Sequence, residues 1–398
     1  MSSGRIEIDA PFAWSRYNLR ATLTDNARQY RDSGVIDSGM VWDQLTWFTP
    51  PWMWDPDSIP MARVLPDCDS FPDPFTSLAH AVGAAPGLGV TAATDTVRRS
   101  PAELFETMLT LGELSGRRAT LQLGAGELKQ AQPFGWKRAQ GLKRMEDHLR
   151  IYEKFLSKDG PIDFEGHHWI YDQAWLGDAK RLPPRVFCLG GGPKLLEIAT
   201  KYADGFATLA PGVANGGEHL QEIVTSLRGQ VAEHGRDPEA FEFALFPCAL
   251  LIHEDENVID RALDHPFMRW LTATWGRINQ EDWRRDGFEP PRPGWHYALD
   301  LLPVKVSKAE GEEVLGRVTR KMTEAAWIYG TPAQVAEQLQ PYIDAGATWL
   351  HLGDTLPFLL DPEDAQLSAN RIIEVARILK RTNVSADARS SVALNQSS

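Results

Sequence analysis

The stretch from Leu88 to Glu127 constrains this chain more than any other. It opens with Leu88-Gly-Val-Thr-Ala-Ala-Thr94, small and β-capable residues in a run short enough for one buried strand. Ser100-Pro-Ala-Glu103 then reads as a capping box with proline at the first helical position. Leu104, Met108, Leu111 and Leu114 follow at helical spacing, and Ser115-Gly116 stops the helix. A second strand, Ala119–Leu123, runs into Gly124-Ala-Gly-Glu127. Strand, helix and strand over this length make a βαβ unit with parallel strands and a right-handed crossover. Its small residues and carboxylate lie past the carboxyl end of the second strand, where parallel α/β proteins bind ligands.

The same plan recurs along the chain. Strands are expected at Arg5–Ala10, Ser38–Trp42, Val186–Leu189, Gly205–Leu209, Phe241–Ile252 and Thr348–Leu352. Helices are expected at Leu23–Arg31, from Pro74 to Val82, from Arg138 to Leu156, from Pro193 to Tyr202, from Thr331 to Ala345 and over Pro362–Lys380. Eight strands, most followed by a helix, is the count of a (β/α)8 TIM barrel with insertions in its βα loops. The domain is expected over 1–381, with a Trp-, Arg- and Pro-rich insertion at about 264–306 that fits no pattern. The Ser-, Ala- and Asn-rich segment 382–398 is expected to be disordered.

Composition excludes some functions. A formal charge of −13 offers no broad basic face to a nucleic acid. Cys68, Cys188 and Cys248 lie far apart, without CxxC or paired Cys/His spacing, so no disulfide framework or metal site is expected and a reducing cytoplasm fits. No apolar run approaches membrane-spanning length.

Candidate site residues come with competing readings. Gly190-Gly-Gly-Pro193-Lys194 is either a phosphate cradle, with free helical N–H groups and a lysine beside them, or a tight strand–helix turn. It is not a dinucleotide fingerprint, since Leu195 stands where GxGxxG needs glycine; Lys129 likewise breaks the pattern after Gly124 and Gly126. Glu127 either orients substrate and donates a proton or caps a helix, and Asp43 has the same ambiguity. Trp42, Trp47, Phe48, Trp52 and Trp54 form either an aromatic lid over a bulky apolar substrate or a packing surface. His167 and His168 read as part of a structural turn and His148 as a residue of a solvated helix face.

Several of these motifs, in order, resemble the bacterial luciferase-like family of flavin and deazaflavin enzymes. They are Gly89-Val-Thr-Ala-Ala-Thr-Asp95 with Arg98-Arg-Ser-Pro101, Leu121-Gln-Leu-Gly-Ala-Gly-Glu127, Asp163-Phe-Glu-Gly166, and Gly190-Gly-Gly-Pro193 with Tyr202-Ala-Asp-Gly-Phe206. The resemblance is closest to the branch that uses the deazaflavin F420, including F420-dependent glucose-6-phosphate dehydrogenases and mycobacterial phthiodiolone ketoreductases. It implies a homodimeric barrel with the cofactor ring in its mouth and a small-molecule substrate. Asp43 would fall near the ring, and Thr91–Ala92 where the family often has a non-prolyl cis peptide. Ala125, Gly126 and Glu127 would line the site, with Gly190, Gly191, Gly192 and Lys194 at the cofactor phosphate. Sugar-phosphate dehydrogenases of this branch have Asp-His after strand two; here Gln44 follows Asp43 in that catalytic position, and an amide is no acid or base at neutral pH.

The chain therefore reads as an F420-dependent oxidoreductase acting on a carbonyl or alcohol carbon. Glu127 is the expected polar catalytic group, and Trp14, Trp47 and Phe48 shape the substrate side. The alternatives are an FMN-dependent monooxygenase and a non-catalytic flavin- or deazaflavin-binding barrel.

Overall fold

In the computed structural model, residues 6–246 and 250–396 are described, with side chains to 383. Eight parallel strands close a barrel: β1 (Glu7–Pro11), β2 (Ser38–Trp42), β3 (Gly89–Asp95), β4 (Thr120–Gly124), β5 (Arg185–Leu189), β6 (Gly205–Leu209), β7 (Glu242–Phe246) and β8 (Trp349–His351). Each pairs with its sequence neighbours, and β8 closes on β1 with Asp9 opposite His351. Strands of this kind are buried on both faces, which is why β3 is covered at every residue and reads as a run rather than an alternation.

The barrel interior is filled in layers. At the amino ends Arg185 bridges Glu7 (2.7 Å) and Glu242 (3.1 Å). Above them the Ser38 hydroxyl donates to Asp9, which is paired with His351. Met40, Phe187, Ala207, Ala244, Phe246 and Trp349 form the apolar layer under the mouth. This is a packed core, so any ligand must bind at the carboxyl ends, among the βα loops.

The helices follow from their apolar stripes. The helix Leu19–Ser33 buries Leu23, Ala27 and Tyr30. The helix Gly141–Ser157 buries Met145, Leu149, Tyr152 and Phe155. Thr331 and Gln334 complete a reciprocal capping box on the helix Pro332–Asp344. Ser100 and Glu103 do not: Ser100 donates to the Glu103 carboxylate instead of capping a backbone N–H of the helix Pro101–Ser115. On that helix Leu114 is exposed, and Phe105 joins the buried stripe.

Three further expectations change. The seventh strand divides: Glu242–Phe246 belongs to the barrel, whereas Leu250–Ile252 pairs in parallel with Ile328–Gly330 outside it. Residues 247–249, Cys248 among them, lie outside the described residues. The last helix runs Ser368–Gln396, its backbone continuing past Thr382, where a disordered tail was expected. The unassigned insertion contains the helices Pro266–Trp275, Asp282–Arg285 and Tyr297–Asp300, and two more helices, Lys308–Arg317 and Arg320–Ala326, follow it. Pro266–Trp275, Lys308–Arg317 and Arg320–Ala326 pack with the tryptophan-rich loop after β2 into a second hydrophobic cluster beside the barrel mouth. No helix among the described residues is long and apolar enough to cross a membrane.

Candidate active site

A cavity of about 1050 Å3 opens at the carboxyl ends of the strands. The loop after β2 brings Asp43, Gln44, Trp47 and Phe48 to it, and the loop after β4 brings Ala125, Gly126 and Glu127. Gly190–Lys194 follows β5, the strand paired with β4, Leu189 opposite Gly124. Trp14 also reaches the wall, edge-on to Trp47 at 4.3 Å and to Trp42 at 4.7 Å between ring centroids. All but two of the expected site residues thus meet in one place.

The exceptions are Thr91 and Ala92. Both are fully buried below the cavity, where Thr91 donates to Ser38, and Ala93, Thr94 and Asp95 take the lining positions. The cis peptide expected at Thr91–Ala92 is not there; Ala210–Pro211 carries the one cis bond among the described residues. The reason lies in the sheet. Thr91 and Ala92 are in continuous register with Met40 and Val41 on one side and Thr120 and Leu121 on the other, a ladder that a cis bond would break.

Asp43 is locked. Its carboxylate meets Arg98 Nη1 at 3.1 Å and Arg99 Nε at 2.8 Å, and accepts from the Thr94 hydroxyl at 2.6 Å. Burial alone would push the Asp43 carboxyl up, but the two guanidinium groups outweigh it and hold it below the ordinary carboxylate value. Arg98 is fixed in turn by Asp95 at 2.6 Å. Asp43 is therefore a structural anion under the mouth, with no proton to give.

His148, expected on a solvated face, is buried, with its ring nitrogens 2.7 Å from the Arg144 carbonyl and 3.1 Å from the Arg99 carbonyl. Burial pushes it down to about 4. It braces the Arg98–Arg99 segment from behind. His167 and His168 donate their backbone N–H groups to Asp147, in the turn between the hairpin strands Ile162–Glu165 and Ile170–Ala174.

Glu127 has an unexpected neighbour. Lys129, fully buried, places Nζ 2.8 Å from Glu127 Oε2, 2.7 Å from Gln44 Oε1 and 2.8 Å from the Thr46 carbonyl. The Glu127 contact is a close ion pair rather than an aligned hydrogen bond. The same ammonium lies 4.0 Å from the centroid of the Phe48 ring. Burial pushes Lys129 below the ordinary lysine value, against the opposing pull of Glu127. Sequence reading treated Lys129 only as an interruption of a glycine pattern; a lysine between Leu128 and Gln130 carried no signal of burial.

The glycine run divides in two. A Cβ at Gly190 would meet Leu195 Cδ1 at 2.7 Å, so that glycine serves the turn. A Cβ at Gly191 would meet only Val213 at 3.4 Å, and one at Gly192 nothing within 4 Å. Gly192 and Pro193 start the helix Pro193–Tyr202, whose free N–H groups and exposed Lys194 border the cavity.

The aromatic segment is a wall fastened to the insertion rather than a free lid. Trp52 Nε1 donates to the Val306 carbonyl and Trp54 Nε1 to the Leu65 carbonyl, while Trp47 and Phe48 meet Trp275 at 5.8 and 4.9 Å. Trp275, Tyr297 and Arg138 complete the lining and were not identified from sequence. Among the described residues no cluster of His, Cys, Asp or Glu is arranged to hold a metal ion.

A barrel of this topology with its cavity at the strand ends matches the luciferase-like monooxygenase family over residues 52–348, and the chain belongs to that family. It is an oxidoreductase. The chain is 25% identical over 325 residues to a phthiodiolone/phenolphthiodiolone dimycocerosates ketoreductase of Mycobacterium sp. (strain JLS), covering 78% of this chain and 81% of that one. It is 25% identical over 268 residues to an F420-dependent glucose-6-phosphate dehydrogenase of Kineococcus radiotolerans, covering 66% and 70%. In fold it is similar to an F420-dependent secondary alcohol dehydrogenase in complex with an F420-acetone adduct, with a TM-score of 0.67 at 17% identity over 94% of this chain and 99% of that one. The EDTA monooxygenase from Chelativorans sp. BNC1 shares the fold at a TM-score of 0.61 and 16% identity, over 94% of each chain.

Proposed function

We propose that the chain is an F420-dependent oxidoreductase working on the carbonyl or alcohol carbon of a bulky, largely apolar substrate. The observation that carries this reading is the meeting of two sets of residues in one cavity. A glycine-run helix start with Lys194 lines it together with Glu127 and Gln44 and the aromatic residues Trp47, Phe48 and Trp275. The residues present fit such a cofactor. The open space at Gly191 and Gly192 admits close backbone approach of a phosphate, and the cavity volume exceeds that needed for a ring system alone.

Bound F420 would supply or accept a hydride. The chain's own residues bind, orient and exclude. Gly191, Gly192 and Lys194 hold the phosphate, while the Asp43–Arg98–Arg99 cluster keeps the loop ends of β2 and β3 in one geometry. The aromatic wall keeps water from the reacting carbon. Glu127 exchanges the proton that leaves or enters the substrate oxygen: Oε2 lies against Lys129, and the side chain, 20% exposed, lines the cavity.

Titrating the protein with F420 and with FMN tests this, with fluorescence quenching as the measure. Clearly tighter binding of F420 is expected. Equal affinity, or oxygen-consuming turnover with reduced FMN, would favour the monooxygenase alternative, and binding without turnover on any substrate would favour a cofactor-binding protein. The same reading makes the chain a cytoplasmic homodimer; a monomer in sedimentation at micromolar concentration would remove the dimer from it.

A further inference from the structure

The hydrogen bonds around Gln44 fix which end of its amide faces the cavity. The backbone N–H groups of Leu45 and Thr46 point at one atom of the Gln130 side chain, at 2.7 and 3.3 Å, and because backbone N–H groups only donate, that atom is Oε1. Gln130 Nε2 is then a donor, to the Thr46 carbonyl at 2.8 Å and to Gln44. An ammonium also only donates, so the Gln44 atom 2.7 Å from Lys129 Nζ is its oxygen. Two independent donors thus converge on Gln44 Oε1. The Gln44 NH2 group makes no hydrogen bond to a described residue and belongs to a side chain lining the cavity.

Lys129 treats Glu127 in the same way. It covers the buried Oε2 of a Glu127 side chain that is 20% exposed and lines the same cavity as Gln44. One buried nitrogen therefore touches both groups: the amide oxygen of Gln44 and the carboxyl of Glu127. We propose that Lys129 is the positioning residue of this site, presenting Gln44 N–H and the Glu127 carboxyl to one oxygen of the substrate: donor and acceptor for a hydroxyl in one direction, and two donors, Glu127 then protonated, for a ketone carbonyl in the other. This rests on the oxidoreductase reading above and adds the substrate group it recognises. An alcohol O–H donates to the Glu127 carboxylate while its oxygen accepts from Gln44. When the carbinol carbon gives up a hydride to bound oxidised F420, the proton passes to Glu127 and the forming carbonyl stays bonded to Gln44. In the reverse direction the carbonyl carbon takes a hydride from reduced F420. Gln44 stabilises the negative charge that grows on oxygen, as an oxyanion-hole donor does, and Glu127 returns the proton to it.

The test uses 2-undecanone labelled with 13C at the carbonyl, bound to the full chain without cofactor, alongside Gln44→Glu, Gln44→Leu and Lys129→Met. Gln44→Glu keeps the size and the Lys129 contact but has no N–H to offer. The bound carbonyl resonance should lie downfield of its position in hexane in the wild type, and move toward that position in all three variants. Turnover of the same ketone with reduced F420 should fall about 10²-fold in Gln44→Leu, in kcat rather than KM. Lys129→Met should lose as much as Gln44→Leu and Glu127→Gln together; should it fail to fold by thermal melting, the two Gln44 variants decide. An identical resonance in wild type and Gln44→Glu, or no bound resonance in the wild type, would overturn the proposal. F420 titration stands apart: a downfield carbonyl without F420 binding would remove the cofactor assignment and keep the pair.

Discussion

Asp43 and Trp275 face one cavity, but the ground under them differs. Asp43 stands at the end of a barrel strand, ion-paired to Arg98 and Arg99 and bonded to Thr94, so its position is set by charges that all face inward. Trp275 ends a helix of the insertion and is held by ring contacts to Trp47, Phe48 and Trp327. Ion pairs and glycine turns fix a shape that suits one kind of ligand. Apolar contacts are less directional and tolerate repacking if volume is kept. In the proposed reading the barrel-end half is the cofactor side of the site, and the insertion half sets substrate preference.

The largest effect expected from breaking that comparison is at Asp43. Asp43→Asn keeps the shape but leaves Arg98 and Arg99 facing a neutral amide, and removing one partner of a buried pair costs about 3–5 kcal/mol. Chemical denaturation at pH 7 should show a loss of that order, together with weakened F420 binding. The pH dependence has a defined sign. The Asp43 carboxyl is held below its unfolded value, so its stabilisation is complete above about pH 3.8 and is lost as pH falls through the folded value. The wild type should therefore approach the variant's stability only in that acid window. A loss below 1 kcal/mol at pH 7 would mean that the cluster does not hold the mouth. Trp275→Leu is the counterpart on the other half: F420 affinity should stay within about twofold while substrate preference changes.

A smaller effect, on binding alone, is expected at Gly191. Its Cβ would sit 3.4 Å from Val213, so Gly191→Asp should fold normally, but the carboxylate would fill the phosphate position and repel an anion there. F420 affinity should fall at least about 100-fold, about 2.7 kcal/mol, with an unchanged melting temperature. Undiminished affinity would reduce the whole run to the turn role that Gly190 already has through Leu195.

These contrasts also explain what was legible in the sequence. The strand–helix repeat gave the barrel because each strand is a short run between turn signals, and β2 and β6 fall on their expected residues. Asp43, Gly126, Glu127 and Gly191 were identifiable because site residues of this architecture follow strand ends directly. Thr91 and Ala92 were placed two residues too early, since an unbroken buried run does not show where the ladder stops and the mouth begins. Lys129 and His148 were unreadable for the opposite reason: their burial depends on partners distant in sequence, Gln44 and Thr46 for one and Arg99 for the other. Trp275 and Tyr297 lay in a segment whose helices are short and whose apolar residues face a second cluster, so no single period dominates.

The smallest effect expected, and the most specific to the chemistry, is at Glu127. Its nearest charged neighbour is the Lys129 ammonium at 2.8 Å. Glu127→Gln keeps the size and an acceptor oxygen but removes the group that exchanges the proton. General acid–base assistance is typically worth about 10²–10⁴-fold, and the retained hydrogen bond offsets part of it, so turnover of a ketone with reduced F420 should fall at least about tenfold. F420 affinity should not change, because the proposed phosphate contacts are Gly191, Gly192 and Lys194 rather than Glu127. Wild-type turnover in Glu127→Gln would make Glu127 the counter-ion of Lys129 and nothing more. The donor side of the site, Gln44, would then have to work with a proton delivered from solvent.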